Sequence, residues 1–361
     1  VMGASAFLMA EFLQTSYSSV VMAALVPAVL YYVALFIQAD LEAAKLGIKR
    51  VAAELIPTGR SVVGGLHFLT AFALLIYALF TLKWQPERAA LLAAASVAVT
   101  ALIFGYKGKR PTLGALFGTI SGTGHAVIEI ILISAASGLV IGVLNITGLS
   151  FNLTYVLVQV GGGSAVLLLF LSALVCIVLG MGLPTLGVYV LLAALVAPAL
   201  IKVGIDPMAA HLYVLYFGMM SMITPPIALA AFAAAGIAQA SSLKTGVAAM
   251  KFGWSAYVIP VLFAFSPTLI LIGAPLEIAL AVTTAVLGVW LISAALAGYF
   301  ASELSPKMRG LFAVLGLLSL VPAGAFAGAQ LTDVLGGLGG LAVMGYELLR
   351  ARRGKVEKVT V

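Results

Sequence analysis

Residues 167–200 read LLLFLSALVCIVLGMGLPTLGVYVLLAALVAPAL, without one charged side chain. They are the middle of a longer uncharged run, Ile130 to Ile201, 72 residues in all. As one continuous helix rising 1.5 Å per residue that run would extend about 108 Å, against a bilayer hydrocarbon core of roughly 30 Å. It must fold back on itself inside the membrane, and Gly180-Met181-Gly182-Leu183-Pro184-Thr185 is where the sequence permits the reversal. Glycine adopts non-helical dihedrals at little cost, and Pro184 has no N–H to give the Gly180 carbonyl four residues earlier. The arms on either side hold about 16 apolar residues each, short of a comfortable span and close to a re-entrant segment. Residues 164–201 are therefore expected to form a hairpin that enters and leaves by the same face.

A second interruption lies at Ser221-Met222-Ile223-Thr224-Pro225-Pro226, in the middle of the uncharged run from Pro207 to Leu243. The two prolines remove the donors to the Ser221 and Met222 carbonyls and push Thr224 and Pro225 out of the α region, so the helix over 207–238 is predicted to be discontinuous. Unpaired backbone in hydrocarbon costs several kcal/mol per group, so such breaks persist where protein or a wet cavity surrounds them. Broken helices at membrane mid-depth build ion and substrate sites: half-helix N-termini favour anions, and orphan carbonyls coordinate Na⁺ or similar hard cations.

Composition agrees. Of 361 residues, 19 are Lys or Arg and 12 Asp or Glu, so 9 % are charged and 63 % hydrophobic. A soluble domain carries about 25 % charge. The alternating polar positions of a transmembrane barrel are missing, which leaves an all-α polytopic membrane protein. The single cysteine, Cys176, supports neither a disulfide framework nor a cysteine-ligated metal. The net charge of +7 comes from short loop clusters that orient membrane proteins, not from a nucleic-acid surface. The first residues carry no basic n-region of a signal peptide, and Val1 stands within a small-residue apolar helix, so the sequence is expected to start part-way through a longer chain.

Uncharged stretches mark spans at 12–39, 61–82, 89–106, 111–128, 130–201, 207–243, 252–276, 278–302, 310–332 and 334–346. With the loop of Lys45, Lys49, Arg50 and Arg60 in the cytoplasm and 164–201 re-entrant, 16 of the 19 basic residues fall inside, and the C-terminal tail is cytoplasmic. Only Lys83, Arg88 and Lys202 lie outside. Three parts result: 1–110, with a half-helix at 1–13 and connecting helices; 111–275, holding the hairpin and the broken helix; and 276–361, C-terminal helices with a basic tail. The opening Val1-Met2-Gly3-Ala4-Ser5-Ala6-Phe7 echoes Ile227-Ala228-Leu229-Ala230-Ala231-Phe232. It reads as the tail of a second broken helix whose first half lies upstream, as inverted repeats would give.

Other polar residues carry less. His67, His125 and His211 share no ligand spacing, while His125 and Glu129, one helical turn apart, could relay protons in an alternative, proton-coupled reading. A non-transporting membrane scaffold or channel subunit is a further alternative. Asn145 closes a long apolar helix and is a candidate cavity residue. Gly118 with Gly122, Gly138 with Gly142, and Gly324 with Gly328 have helix-packing spacing. No zinc-protease motif, nucleophile elbow or phosphate loop appears, so neither an enzyme nor ATP hydrolysis is indicated.

Gly180 to Thr185 followed by Tyr189-Val190-Leu191-Leu192-Ala193, then Ala209-Ala210-His211, then Ser221 to Pro226 running into Ala230-Ala231-Phe232-Ala233-Ala234-Ala235-Gly236-Ile237-Ala238, resembles the large permease of tripartite ATP-independent periplasmic (TRAP) transporters. Met2-Gly3-Ala4-Ser5-Ala6-Phe7-Leu8-Met9-Ala10-Glu11 is similar to the fused form that works with TAXI-type binding proteins. The likeness spans residues 1 to about 300. It implies an elevator-type fold of two inverted repeats, in the inner membrane, with the small-subunit helices normally fused ahead of the large one. It also implies Na⁺ as coupling ion, no other cofactor, and uptake of small carboxylates handed over by a periplasmic binding protein. Carried onto this sequence, Gly180, Met181, Gly182, Pro184 and Thr185 of the hairpin tip and Ser221, Met222, Thr224, Pro225 and Pro226 of the unwound helix form one sodium site. Thr185, Thr224, Ser5 and Asn145 are the residues expected at the substrate.

Overall fold

The computed structural model describes residues 3, 5–49, 51–82, 84–105, 109–161, 164–322 and 328–357. Among them the regular secondary structure is helical. Among the described residues six helical segments are long and apolar enough to cross a membrane: Tyr17–Lys45, Pro86–Phe104, Thr185–Lys202, Ser242–Phe265, Pro275–Ala297 and Ala329–Ala351. The protein is thus an all-α, multi-pass membrane protein.

The chain divides into two compact units, residues 1–15, 19–48 and 137–361 in the first and 16–18 and 49–136 in the second. In the first unit, α1 (Ser5–Phe12) is a half-helix, and α2 (Tyr17–Lys45) is a full span that tolerates a buried Pro27. The second unit holds α3 (Gly59–Val63), α4 (Leu69–Ile76), α5 (Pro86–Phe104) and the start of α6 (Leu113–Thr147). Pro86 opens α5, where its missing N–H costs nothing, and Gly105 closes it at φ +62°. His67 lies against Phe68 and Phe104, with ring centroids 4.1 and 5.5 Å apart.

From α6 onward, α7 (Leu149–Val160), α8 (Ala165–Gly180), α9 (Thr185–Leu195), α10 (Ala197–Lys202), α11 (Pro207–Met220), α12 (Leu229–Ala238), α13 (Ser242–Phe252), α14 (Ser255–Phe265), α15 (Pro275–Ala297), α16 (Pro306–Leu320) and α17 (Ala329–Glu357) follow. Two span boundaries drawn at acids are corrected. Helix α6 runs through Glu129 and α17 through Asp333, because one ionisable side chain inside a helix interrupts no backbone hydrogen bond and is tolerated where the bundle receives it. The break in the last third comes instead after Leu320, and α17 begins at Ala329.

Helices α15, α16 and α17 pack around Leu291, Ala294, Ala297 and Phe312, all fully buried. Glycine allows the approach. A Cβ on Gly288 would stand 2.8 Å from the Gly316 carbonyl oxygen and 2.7 Å from Leu320 Cγ, and one on Gly340 would stand 2.5 Å from Leu291 Cδ1. These small residues bring backbones together as packing in lipid requires. The spacings singled out in the sequence are not the ones used: a Cβ at Gly118, Gly122 or Gly142 meets nothing within 4 Å, and Gly328 sits in a turn at φ +96°. The surroundings of Gly138 are not described, and Gly324 lies outside the described residues.

Basic side chains gather four helix ends. Lys45 Nζ donates to the Ala297 carbonyl (2.7 Å) and Arg309 Nε to the Ala295 carbonyl (2.9 Å), so the C-terminus of α15 receives two cations where its dipole favours them. Lys251 Nζ pairs with Glu42 (2.6 Å), and Gln38 Nε2 donates to the Lys251 carbonyl (3.1 Å). The C-terminal ends of α2, α13 and α15 and the start of α16 therefore meet at one end of the unit. The interhelical glycine at position 288 is testable: Gly288→Leu should lower stability in detergent by about 1–3 kcal/mol through overpacking, while Gly118→Ala should be neutral or slightly stabilising in the same thermal unfolding assay.

Candidate functional site

The site is built where two helix interruptions meet. Ser164 caps α8, its Oγ accepting from the Leu167 N–H (3.4 Å). The helix runs to Gly180, leaves the α region at Met181 (ψ 123°), turns through Gly182 at φ +78°, and restarts as α9 after Pro184. Arm α9 continues past a bend at Val196 into α10. Asp206 caps α11 by accepting from Ala209 N–H (3.1 Å), and α11 ends at Met220. The Pro225–Pro226 peptide is cis, and α12 begins after Ala228, a fully buried residue in the left-handed region at φ +32°.

Ser221 joins the two breaks. Its Oγ donates toward the Gly180 carbonyl (3.0 Å) and toward the Gly218 carbonyl of its own helix (2.6 Å), one hydrogen shared by two acceptors. Position 180 needs glycine for this approach, since a Cβ there would stand 2.6 Å from the Gly218 carbonyl oxygen and 3.0 Å from Ser221 Oγ. Gly218 serves the other arm of the hairpin, where a Cβ would run into Val188 and Leu192 of α9. On the opposite side the Thr224 hydroxyl donates to the Met220 carbonyl, leaving Tyr257 of α14 as donor to Thr224 Oγ1 at 2.7 Å. Pro225 packs on Gly246 and Ile223 on Gly253, so α13 and α14 enclose the break from behind.

The expectation of three free carbonyls is corrected in two cases. The Gly180 carbonyl accepts from Ser221 Oγ and from Leu183 N–H (3.4 Å), and the Met222 carbonyl accepts from Ala230 N–H (3.0 Å). Proline removes the local helical donor, but a side chain across the hairpin and an amide eight residues on replace it. The Ser221 carbonyl oxygen has no partner among the described residues. A carbonyl oxygen has two lone pairs, so that of Met222 keeps room for a second contact, while that of Gly180 gains room only when the Ser221 hydroxyl turns wholly to Gly218.

Thr185 is half-buried at the first position of α9, and no hydrogen bond joins it to Ser221 or Thr224 among the described residues. The N-termini of α9 and α12 carry no side-chain cap, so their first amides are available apart from Ala230 N–H, which is spent on Met222. Neither 165–201 nor 207–243 contains a charge, which leaves helix ends as the electrostatic source. Ser5 is fully buried with Oγ unpartnered, and no contact with the two breaks is among those described. The far end of its helix reaches the hairpin, where the Phe12 ring sits 6.0 Å from Tyr189 and 6.1 Å from His211. The side chains of Asn145, His125 and Glu129 lie outside the described residues.

Sequence reasoning missed Tyr257, which no local pattern ties to Thr224. It also missed the buried bond between Tyr189 hydroxyl and His211 Nδ1 (2.7 Å), which ties α9 to α11. The Tyr213 hydroxyl similarly donates to the Leu169 carbonyl and ties α11 to α8. Gly218 had a signal, standing three residues before Ser221 in an otherwise bulky helix.

A family model described as "Tripartite ATP-independent periplasmic transporter, DctM component" matches residues 1–278. No match to a curated protein or to a solved structure was found.

Ser221→Ala removes the one donor that spans the two breaks. It should cost about 1–2 kcal/mol of stability, while Ser221→Thr, which keeps the hydroxyl, should cost less in the same unfolding assay.

Proposed function

Since the chain belongs to the DctM component family of tripartite ATP-independent periplasmic transporters, which are membrane permeases and not enzymes, we propose that it couples Na⁺ entry to the uptake of small organic carboxylates. The observation that carries this reading is the junction of Gly180 with Ser221. Two backbone interruptions from separate arms face each other there, with the Ser221 carbonyl unpartnered and two uncapped helix N-termini beginning just beyond.

In this reading Na⁺ is held by the Ser221 carbonyl, the second lone pair of the Met222 carbonyl, the hydroxyls of Thr185 and Thr224, and the Gly180 carbonyl once the Ser221 hydroxyl turns wholly to Gly218. Met181, Gly182, Pro184, Pro225 and Pro226 hold the backbone open around it. A hard cation suits an all-oxygen set of this kind, and no charged side chain is needed to recruit it. The substrate carboxylate lies at the amides opening α9 and α12, helped by Thr185, Thr224, Ser5 and Asn145. Filling the ion site closes the hairpin and raises affinity for the anion, and the anion raises affinity for Na⁺ by the same factor.

The hairpin 164–201 and the broken helix 207–238 form the moving part of an elevator. The division at 110 and 275 separates the connecting helices, the second repeat and the C-terminal helices. Length alone would let Thr185–Lys202, about 27 Å as a helix, cross the membrane. The re-entrant course rests on charge: it places Lys45, Lys251 and Arg309 on one side, and the fold brings these three to one end of the unit. That end and the C-terminal tail face the cytoplasm in this reading, with the protein in the inner membrane. The substrate arrives on a periplasmic binding protein, and the small-subunit helices complete the permease.

Purified protein should be stabilised in NaCl relative to choline chloride at equal ionic strength, by about 2.7 kcal/mol when Na⁺ reaches 100 times its dissociation constant. Thr224→Val should lose that increment. A variant that keeps a normal sodium response, or a wild type indifferent to the choice of salt, would overturn the assignment.

A further inference from the structure

At the end of the region matched by the family and beyond it, α15 and α17 flank a cavity of about 760 Å³. Its lining follows the helical period. Glu277, Leu280, Ala281, Thr284 and Leu287 recur at three- and four-residue steps on α15, and Asp333, Gly337 and Leu341 recur at four-residue steps on α17. The polarity is graded along the helices. Glu277, Gln330 and Asp333 stand within the first turns of α15 and α17, whereas Leu287 and Leu341 lie about 12–15 Å further along.

Asp333 is 7 % exposed, and its Oδ1 has no hydrogen-bond partner. Of the neighbouring hydroxyls only that of Thr284 reaches the Asp333 carboxyl, and its hydrogen is shared with the Leu280 carbonyl (3.0 Å), while Thr332 donates to the Ala329 carbonyl (2.8 Å). Among the described residues no Lys or Arg pairs with Asp333. A carboxylate in such a place calls for a cation, or for a donor that comes from outside the chain. A bare metal ion fits poorly, for the cavity is far larger than an ion and much of its wall is apolar. The wall is also open along its length, with Leu280 53 %, Leu338 66 % and Leu341 58 % exposed toward what surrounds a membrane helix. The fitting ligand has a small positive head with N–H donors, an apolar tail of roughly the cavity's length, and access from the bilayer.

We infer that this cavity binds a primary-ammonium phospholipid, the ammonium donating to Asp333 and the start of an acyl chain running along Leu287, Leu338 and Leu341. The polar mouth lies at the helix starts, where a headgroup sits in a bilayer, so a lipid enters without leaving its leaflet.

The full chain, washed in mild detergent and then exposed to phosphatidylethanolamine, phosphatidylcholine and phosphatidylglycerol of identical acyl chains, can be read by native mass spectrometry. Wild type should retain the ethanolamine lipid at least tenfold over the other two. Asp333→Asn should reduce it to their level. Gly337→Leu should do the same with the acid intact, and its side chain enters open space, because a Cβ at Gly337 meets nothing within 4 Å. Equal retention of the three lipids by wild type, or a preference that survives both variants, would overturn the proposal. So would displacement by hexylammonium chloride without any lipid preference, which would make the site one for free amines.

Discussion

The hydrocarbon core offers no water, so every backbone N–H and C=O in it must find a partner within the protein. The course of this chain from Ser164 to Phe265 depends on that constraint. Proline and glycine open the helices after Gly180 and Met220, and the carbonyls so exposed set the packing around them. Ser221 reaches across to Gly180, Ala230 reaches back to Met222, and Thr224 turns its hydroxyl onto Met220. The breaks are thus places where two helical arms, α13 and α14 have been pulled together to settle an account that a straight helix settles alone. Ala228 shows how far this goes, since a buried alanine in the left-handed region gives up about 1–2 kcal/mol for the turn that delivers Ala230 to Met222.

What could be read in the residues follows from the range of the forces involved. Proline's missing N–H and glycine's freedom are properties of single residues, so the interruptions at Gly180 to Thr185 and Ser221 to Pro226 were legible. Partners between distant segments were not: nothing near Thr224 points to Tyr257, 33 residues on, nor anything near Tyr189 to His211. Charge was a poor ruler for span limits, because Asp333 keeps its helix intact while sitting in the bundle. Glycine spacing failed for a related reason. Gly288 and Gly316 pack across two helices, a relation no repeat within one segment reveals.

Two electrostatic regimes coexist in the first unit. Around the breaks no side chain is charged, and the field comes from peptide dipoles at the ends of α8, α9, α11 and α12, which favours weakly held, exchangeable ions over permanent pairs. At the end where α2, α13 and α15 finish, formal charges do the work: Lys45 and Arg309 on the α15 carbonyls, Lys251 on Glu42. The first arrangement can respond to a ligand, and the second holds its helices in register.

The bond from Lys45 to the Ala297 carbonyl links positions 252 residues apart. At the usual pace of about 5–20 residues per second, synthesis of the intervening chain takes roughly 13–50 s. Through that interval the end of α2 is already made while its receptor does not yet exist, and Glu42 waits almost as long for Lys251. Until position 251 is made the end of α2 has none of these partners, and a ribosome stalled before it leaves that helix end held by no bond of this set.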